Sequence, residues 1–276
     1  MSFITVGKEN SESIDIYYED HGEGSPVVLI HGYPLSGRAW EKQEQALLGG
    51  GYRVITYDRR GFGKSSQPSV GYDYDTFTAD LDVLLGELAL TNVVLVGHSM
   101  GTGEVVHYLG TYGSERVCKG VLLSPLGPFI LNASDNPEGL PQSLFDGFKD
   151  ACRADRPAWM KGFLDNFYNI DVLGGTLVSD QAFQDSWNIA TSASAKGSLD
   201  CIQSWSTDFR SDLPKVDVPV LVVQGDQDRV LPPDVTGNRL LGLIKDMKHV
   251  LIEGGPHGIP WTHADKVNSE LLDFIS

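Results

Sequence analysis

Cysteine is nearly absent from this chain: three residues, Cys118, Cys152 and Cys201, an odd number with no metal-ligand spacing. That count argues against a disulfide framework, and the thiols are expected to be packing residues. Basic charge is scarce as well. Lys and Arg number 21 against 37 Asp and Glu, a formal charge of −16, so nucleic acid and anionic membranes, both polyanions, are not expected partners. No stretch approaches the roughly 18 apolar residues of a membrane span, and Met1-Ser2-Phe3-Ile4-Thr5-Val6 lacks the charged start and apolar core of an export signal. A cytoplasmic protein is expected. No H-E-x-x-H motif or cysteine cluster offers a metal site, and no cofactor is expected. Gly61-Phe62-Gly63-Lys64-Ser65 imitates the end of a phosphate loop, but Asp58 stands where its first glycine is required. Gly101-Thr102-Gly103 has no spaced third glycine and is no dinucleotide fingerprint.

What is present is a core-forming composition, 41% hydrophobic over 276 residues, and a clear rhythm of elements. Residues 3–6 and 13–19 alternate as a hairpin, with Gly22 and Gly24 closing it. Short buried strands are expected at Val27–Ile30, Arg53–Asp58, Val93–Val96, Val117–Leu123, Val218–Gly225 and His249–Ile252. Helices are expected around Trp40–Leu48, at the three-and-four spacing of Phe77, Leu81, Leu84, Leu85 and Leu88, behind residue 99, at Asn238–Ile244, and where Val267, Leu271 and Phe274 share a face. Strands alternating with helices imply a parallel sheet covered on both faces. The rhythm breaks between Pro125 and Pro214, so residues 125–213 read as a helical cap inserted into a core of residues 1–124 and 214–276. Ligands of such sheets bind at the carboxyl ends of the strands, where the cap would lie.

At the end of the third of those buried runs stands Gly97-His98-Ser99-Met100-Gly101. A serine between a buried strand and a helix, with glycine two before and two after, has the form of a nucleophile elbow. Its hydroxyl would sit at a helix N-terminus, where free amides favour negative charge. Serine alone is a poor nucleophile and needs a base and an orienting carboxylate. Asp228 follows the strand ending at Gly225, and His257 follows the last strand, so both share the sheet edge with Ser99 in the order Ser, Asp, His found in α/β-hydrolases. Asp226 is the rival acid, and its place directly after the strand suits it to hydrogen-bonding the turn. His31 and His98 adjoin functional backbone and read as structural hydrogen-bonders, while His21, His107, His249 and His263 read as surface or core residues. The oxyanion amides of this arrangement are those of Met100 and Tyr33. Pro34 fixes the chain direction after Tyr33.

These residues resemble the cofactor-free haloperoxidases of the α/β-hydrolase fold, together with related aryl esterases, perhydrolases and γ-lactamases. The resemblance rests on His31-Gly32-Tyr33-Pro34, residues 57–66, Ser99-Met100-Gly101-Thr102-Gly103-Glu104, Asp135-Asn136-Pro137-Glu138-Gly139, Asn166-Phe167-Tyr168-Asn169, Thr207-Asp208-Phe209-Arg210 and Gly255-Pro256-His257-Gly258. It implies a mostly parallel eight-stranded sheet flanked by helices, with the cap after the sixth strand. It also implies a Ser99, Asp228, His257 triad acting on a small-molecule ester or lactam, and a homo-oligomer, a trimer or larger. Perhydrolysis-prone relatives carry proline at the position of Pro34. The expected pocket walls are Tyr33, Phe129, Trp205 and Ile259. The family commonly has phenylalanine at position 98, histidine at 224 and a glutamate near 127, where this chain has His98, Gln224 and Gly127.

Overall fold

The computed structural model describes residues 2–276. An antiparallel pair, β1 (Ser2–Glu9) and β2 (Glu12–His21), opens the chain. There follow β3 (Pro26–Ile30), α1 (Glu41–Gly49), β4 (Arg53–Tyr57), α2 (Tyr74–Glu87), β5 (Val93–His98), α3 (Met100–Tyr112) and β6 (Val117–Leu123). Five helices come next: α4 (Gln142–Ala154), α5 (Arg156–Tyr168), α6 (Ile170–Leu173), α7 (Asp180–Ser192) and α8 (Ala195–Ser204). The chain ends with β7 (Val220–Gly225), β8 (Met247–Ile252), α9 (Ile259–Thr262) and α10 (Ala264–Ile275). Among the described residues the strands form an eight-stranded sheet in the order β1-β2-β4-β3-β5-β6-β7-β8, parallel from β4 to β8. This is the α/β-hydrolase fold.

The central strands are apolar throughout because side chains alternate between two buried faces. In β3, Val28 and Ile30 enter the core beneath α2 and α3, whereas Val27 and Leu29 enter the core beneath α1 and α10. β5 and β7 split in the same way, Leu95 and Val222 to the first core, Val96 and Val223 to the second. Each such side chain contributes about 1.5–3 kcal/mol by leaving water. Capping sets the helix starts: the Asp73 carboxylate accepts from the Thr76 amide at 2.8 Å, and Asp155, just before Arg156-Pro157, accepts from Ala158 at 3.0 Å.

One expected helix is absent. Residues 238–244 form no α-helix; two short 3-10 turns, Pro233–Val235 and Gly237–Leu240, are followed by a bridge between Leu241 and Ile244. Pro232 and Pro233 each lack an amide donor, and Gly242 sits at φ 80°, so the segment has no uninterrupted run long enough to propagate a helix. In α10 Val267 and Leu271 are buried and the half-buried Phe274 packs against the same core, with Ile275 buried beside it.

Candidate active site

The turn from β5 to α3 places Ser99 at φ 54°, ψ −121°, a backbone conformation that costs a non-glycine residue about 1–3 kcal/mol. Neighbouring groups hold it there. The Ser99 amide donates to the Leu123 carbonyl at 2.9 Å, and the Ser99 carbonyl accepts from the Thr102 amide at 2.9 Å and hydroxyl at 2.6 Å. Both flanking glycines are obligatory: a Cβ on Gly97 would stand 2.4 Å from the Gly101 oxygen, and one on Gly101 would stand 2.3 Å from the Ile30 oxygen.

The sheet edge brings Ser99, His257 and Asp228 together. His257 Nε2 lies 2.8 Å from Ser99 Oγ, and His257 Nδ1 lies 2.8 Å from Asp228 Oδ2. Asp228 Oδ1 accepts from the Val230 and Leu231 amides at 2.9 and 2.7 Å. A carboxylate held by two amides is an acceptor on both oxygens, so Nδ1 of His257 carries the proton and Nε2 is left to accept from the serine hydroxyl. Asp226 is exposed and accepts instead from the Gly254 amide at 2.8 Å, bracing the turn before His257. The Tyr33 and Met100 amides donate to no other group among the described residues. They are free N–H groups beside Ser99.

His98 and His31 both serve the backbone around these residues. His98 Nε2 donates to the His257 carbonyl at 3.0 Å, and Ser124 Oγ donates to the same oxygen at 2.9 Å. Burial, reinforced by the neighbouring His257, pushes His98 down to about 3, so it is neutral. His31 Nε2 accepts from the Arg59 amide at 3.0 Å, which leaves Nδ1–H to donate to the Gly32 carbonyl at 3.0 Å. Burial, and then the Arg59 cation, hold His31 well below the usual imidazole range.

A cavity of about 730 Å³ opens above Ser99, within the 300–1,000 Å³ typical of small-molecule sites. Tyr33 and Trp205 line it, their rings packed edge to face at 4.9 Å. Phe129 and Ile259 do not. The Phe129 ring stacks under the Arg210 guanidinium at 4.9 Å, because the chain leaving β6 turns its neighbour Ile130 inward instead. Ile259 is wholly buried on the opposite face of the sheet with Val267 and Leu271, carried there by the turn into α9. Walls that sequence reasoning missed are Trp159 and Phe163 of α5, Phe145 of α4, and Leu231. Their signal was the i, i+4 aromatic spacing of α5. Trp159 Nε1 donates to the Tyr33 hydroxyl at 3.1 Å, joining that helix to the loop after β3. Gly127 lies outside the cavity, and a Cβ there would stand 2.8 Å from the Val235 oxygen.

The alpha/beta hydrolase fold family matches residues 25–264. The chain belongs to the α/β-hydrolase family. It is 61% identical over 275 residues, the full length of both chains, to a putative non-heme chloroperoxidase of Synechocystis. To a bifunctional esterase/perhydrolase of Acinetobacter calcoaceticus it is 35% identical, covering 100% of this chain and 99% of the other. The crystal structure of a bromoperoxidase from Bacillus anthracis superposes with a TM-score of 0.95 at 48% identity, over 99% of each chain. These relatives place this α/β-hydrolase enzyme with the cofactor-free haloperoxidases. Among the described residues no group of three or more His, Cys, Asp or Glu side chains gathers as a metal site, and no helix is long and apolar enough to cross a membrane.

Proposed function

We propose that this α/β-hydrolase is a serine esterase working through an acyl-enzyme on small esters with an apolar portion. The observation that carries the reading is the continuous hydrogen-bonded series Asp228, His257, Ser99 ending at a 730 Å³ cavity beside two unoccupied amides. His257 Nε2 takes the serine proton as Oγ bonds to the ester carbonyl carbon, and the Tyr33 and Met100 amides stabilise the oxyanion. Collapse of the tetrahedral adduct expels the alcohol, which receives the proton from His257. Water, deprotonated by the same imidazole, then releases the acid and restores Ser99. Hydrogen peroxide in place of water would release a peracid, RC(O)OOH, which oxidises halide in solution and is itself reduced to the carboxylic acid. The esterase/perhydrolase named above supports this side activity. Helices α4–α8 serve as the cap.

The test is labelling by a fluorophosphonate probe, followed by an ester panel. Wild type should label and cleave aryl esters; Ser99→Ala and His257→Ala should do neither. Equal labelling of Ser99→Ala would refute the assignment. A bicyclic γ-lactam in the same panel separates ester from cyclic amide hydrolysis, which would use the same residues.

A further inference from the structure

The two amides that serve as oxyanion donors in the esterase reading sit on different elements, and one buried ion pair joins those elements. Arg59 follows β4 and Glu104 lies on α3, with side chains 1% and 0% exposed. The Arg59 guanidinium donates to Glu104 Oε1, and the Tyr57 hydroxyl donates to Glu104 Oε2. The same guanidinium reaches the oxyanion loop, where Nη2 donates to the His31 carbonyl at 2.8 Å. The Arg59 amide fixes the His31 tautomer, and His31 Nδ1–H, together with the Leu35 amide at 3.0 Å, in turn holds the Gly32 carbonyl. That carbonyl belongs to the peptide unit whose N–H is the Tyr33 donor. A peptide unit is planar, so holding its oxygen sets the direction in which its N–H points. Glu104 rides on the helix whose first residue, Met100, supplies the other donor. The Met100 carbonyl is itself held by the Tyr74 hydroxyl at 2.9 Å.

We infer that the Arg59–Glu104 pair is a positioning device for the oxyanion site, fixing the Tyr33 N–H relative to the Met100 N–H. Neither side chain touches substrate; both act through His31 and α3. Stability alone is a poor account of the pair. Buried ion pairs replaced together by apolar groups are often neutral or stabilising, and Arg59 Nη1 is buried with no partner at all, which subtracts further. Geometry is what an apolar replacement could not supply, since it has no donor for the His31 carbonyl.

The inference rests on the esterase reading and is tested on the full-length protein with the triple variant Tyr57→Phe, Arg59→Met, Glu104→Leu, which removes the ion pair and the hydroxyl that depends on it. Four quantities are read: melting temperature, kcat and KM for an aryl ester, affinity for a boronic acid that forms the tetrahedral adduct, and affinity for the unreactive ether isostere. A displaced donor should lower kcat about 10- to 100-fold and weaken the boronic acid in parallel. KM and ether affinity should stay within about threefold, because ground-state binding does not use the oxyanion donors. A triple variant that melts like wild type and keeps kcat and boronate affinity would overturn the inference. Should the triple variant not fold, Arg59→Lys decides by the same readouts: its single terminal nitrogen keeps a cation near Glu104 but cannot reproduce the guanidinium fork that grips Glu104 and His31 together. Failure of wild type to label with fluorophosphonate or cleave any ester would remove the esterase reading, and this inference with it.

Discussion

Replacing Asp228 by Asn tests whether orientation of His257, rather than mere presence of three side chains, makes Ser99 reactive. Asn is nearly isosteric, but only one of its two terminal atoms can accept. Oδ1 of Asp228 takes two amide donors, from Val230 and Leu231, while Oδ2 faces His257 Nδ1. If the Asn carbonyl oxygen keeps the two amides, its NH2 points at His257 Nδ1 and forces the imidazole proton onto Nε2, where the ring can no longer accept from Ser99. The alternative is to flip the amide, which leaves two buried backbone donors facing an NH2 group. At about 1–3 kcal/mol for each unsatisfied donor, that flip costs roughly 2–6 kcal/mol. At about 1.36 kcal/mol per tenfold, the correct tautomer is thus depleted by between about one and a half and four and a half orders of magnitude. Asp228→Asn should therefore lose about 10⁴-fold in kcat at pH 7, the loss seen for the same change in a protease triad, while its melting temperature moves little. Steady-state hydrolysis of an aryl acetate beside a thermal melt is the assay. A variant keeping more than about a thirtieth of wild-type kcat would refute the orienting role, since about a thirtyfold loss is the smallest these costs allow.

Three further outcomes are expected. Ser99→Ala and His257→Ala should each cost about a million-fold in turnover, and the double variant should be no worse than either, because the pair acts as a unit; additive losses measured by single-turnover kinetics would show otherwise. Gly101→Ala places a methyl 2.3 Å from the Ile30 oxygen, so it should destabilise by about 1–3 kcal/mol, read from the urea midpoint, and a midpoint unchanged from wild type would mean the elbow is not closely packed. The pH dependence of stability should carry a histidine signature. His98 is about 3 in the folded protein and near 6.5 unfolded, so the unfolded chain binds the extra proton between these values. Its contribution is complete above about pH 6.5 and is lost as pH falls, at about 1.4 kcal/mol per pH unit. Stability against urea between pH 6 and 4.5 should consequently fall less steeply, by about one proton, in His98→Phe than in wild type; equal slopes would mean that His98 is protonated in the fold.

What the sequence makes legible here is whatever local sterics and periodicity dictate. The apolar runs at 27–30, 93–96 and 220–223 can only be strands buried on two faces, and glycine at 97 and 101 around Ser99 is demanded by contacts of 2.4 and 2.3 Å. Asp228 and His257 follow from chain order because every parallel strand delivers its next loop to the same edge. The pocket walls do not follow, because they depend on how α4 and α5 settle over that edge. Phe129 and Ile130 are adjacent, and nothing local decides which faces inward; the Arg210 guanidinium, about eighty residues away in the chain, takes Phe129. The missing helix at 238–244 is a different kind of failure. Its apolar spacing suits a helix, but the prolines before it and Gly242 within it leave too few residues to recover the cost of nucleation.

His98 shows where the two kinds of information meet. From sequence it is a histidine next to the candidate nucleophile, and it reads as a structural hydrogen-bonder rather than a base. Its geometry agrees with that reading. Nε2–H is committed to the His257 carbonyl, the ring is packed edge-on by Trp40 and Phe167 at 6.2 and 5.6 Å, and burial keeps it neutral. It ties the residue before Ser99 to the backbone of His257, the proposed base, so that the 2.8 Å between Oγ and Nε2 spans two loops already fastened to each other. Arg59 ties the Tyr33 loop to α3 in the same manner. In both places a buried polar side chain is committed to a backbone carbonyl beside the candidate site, so in the proposed mechanism its part is to position the reacting groups.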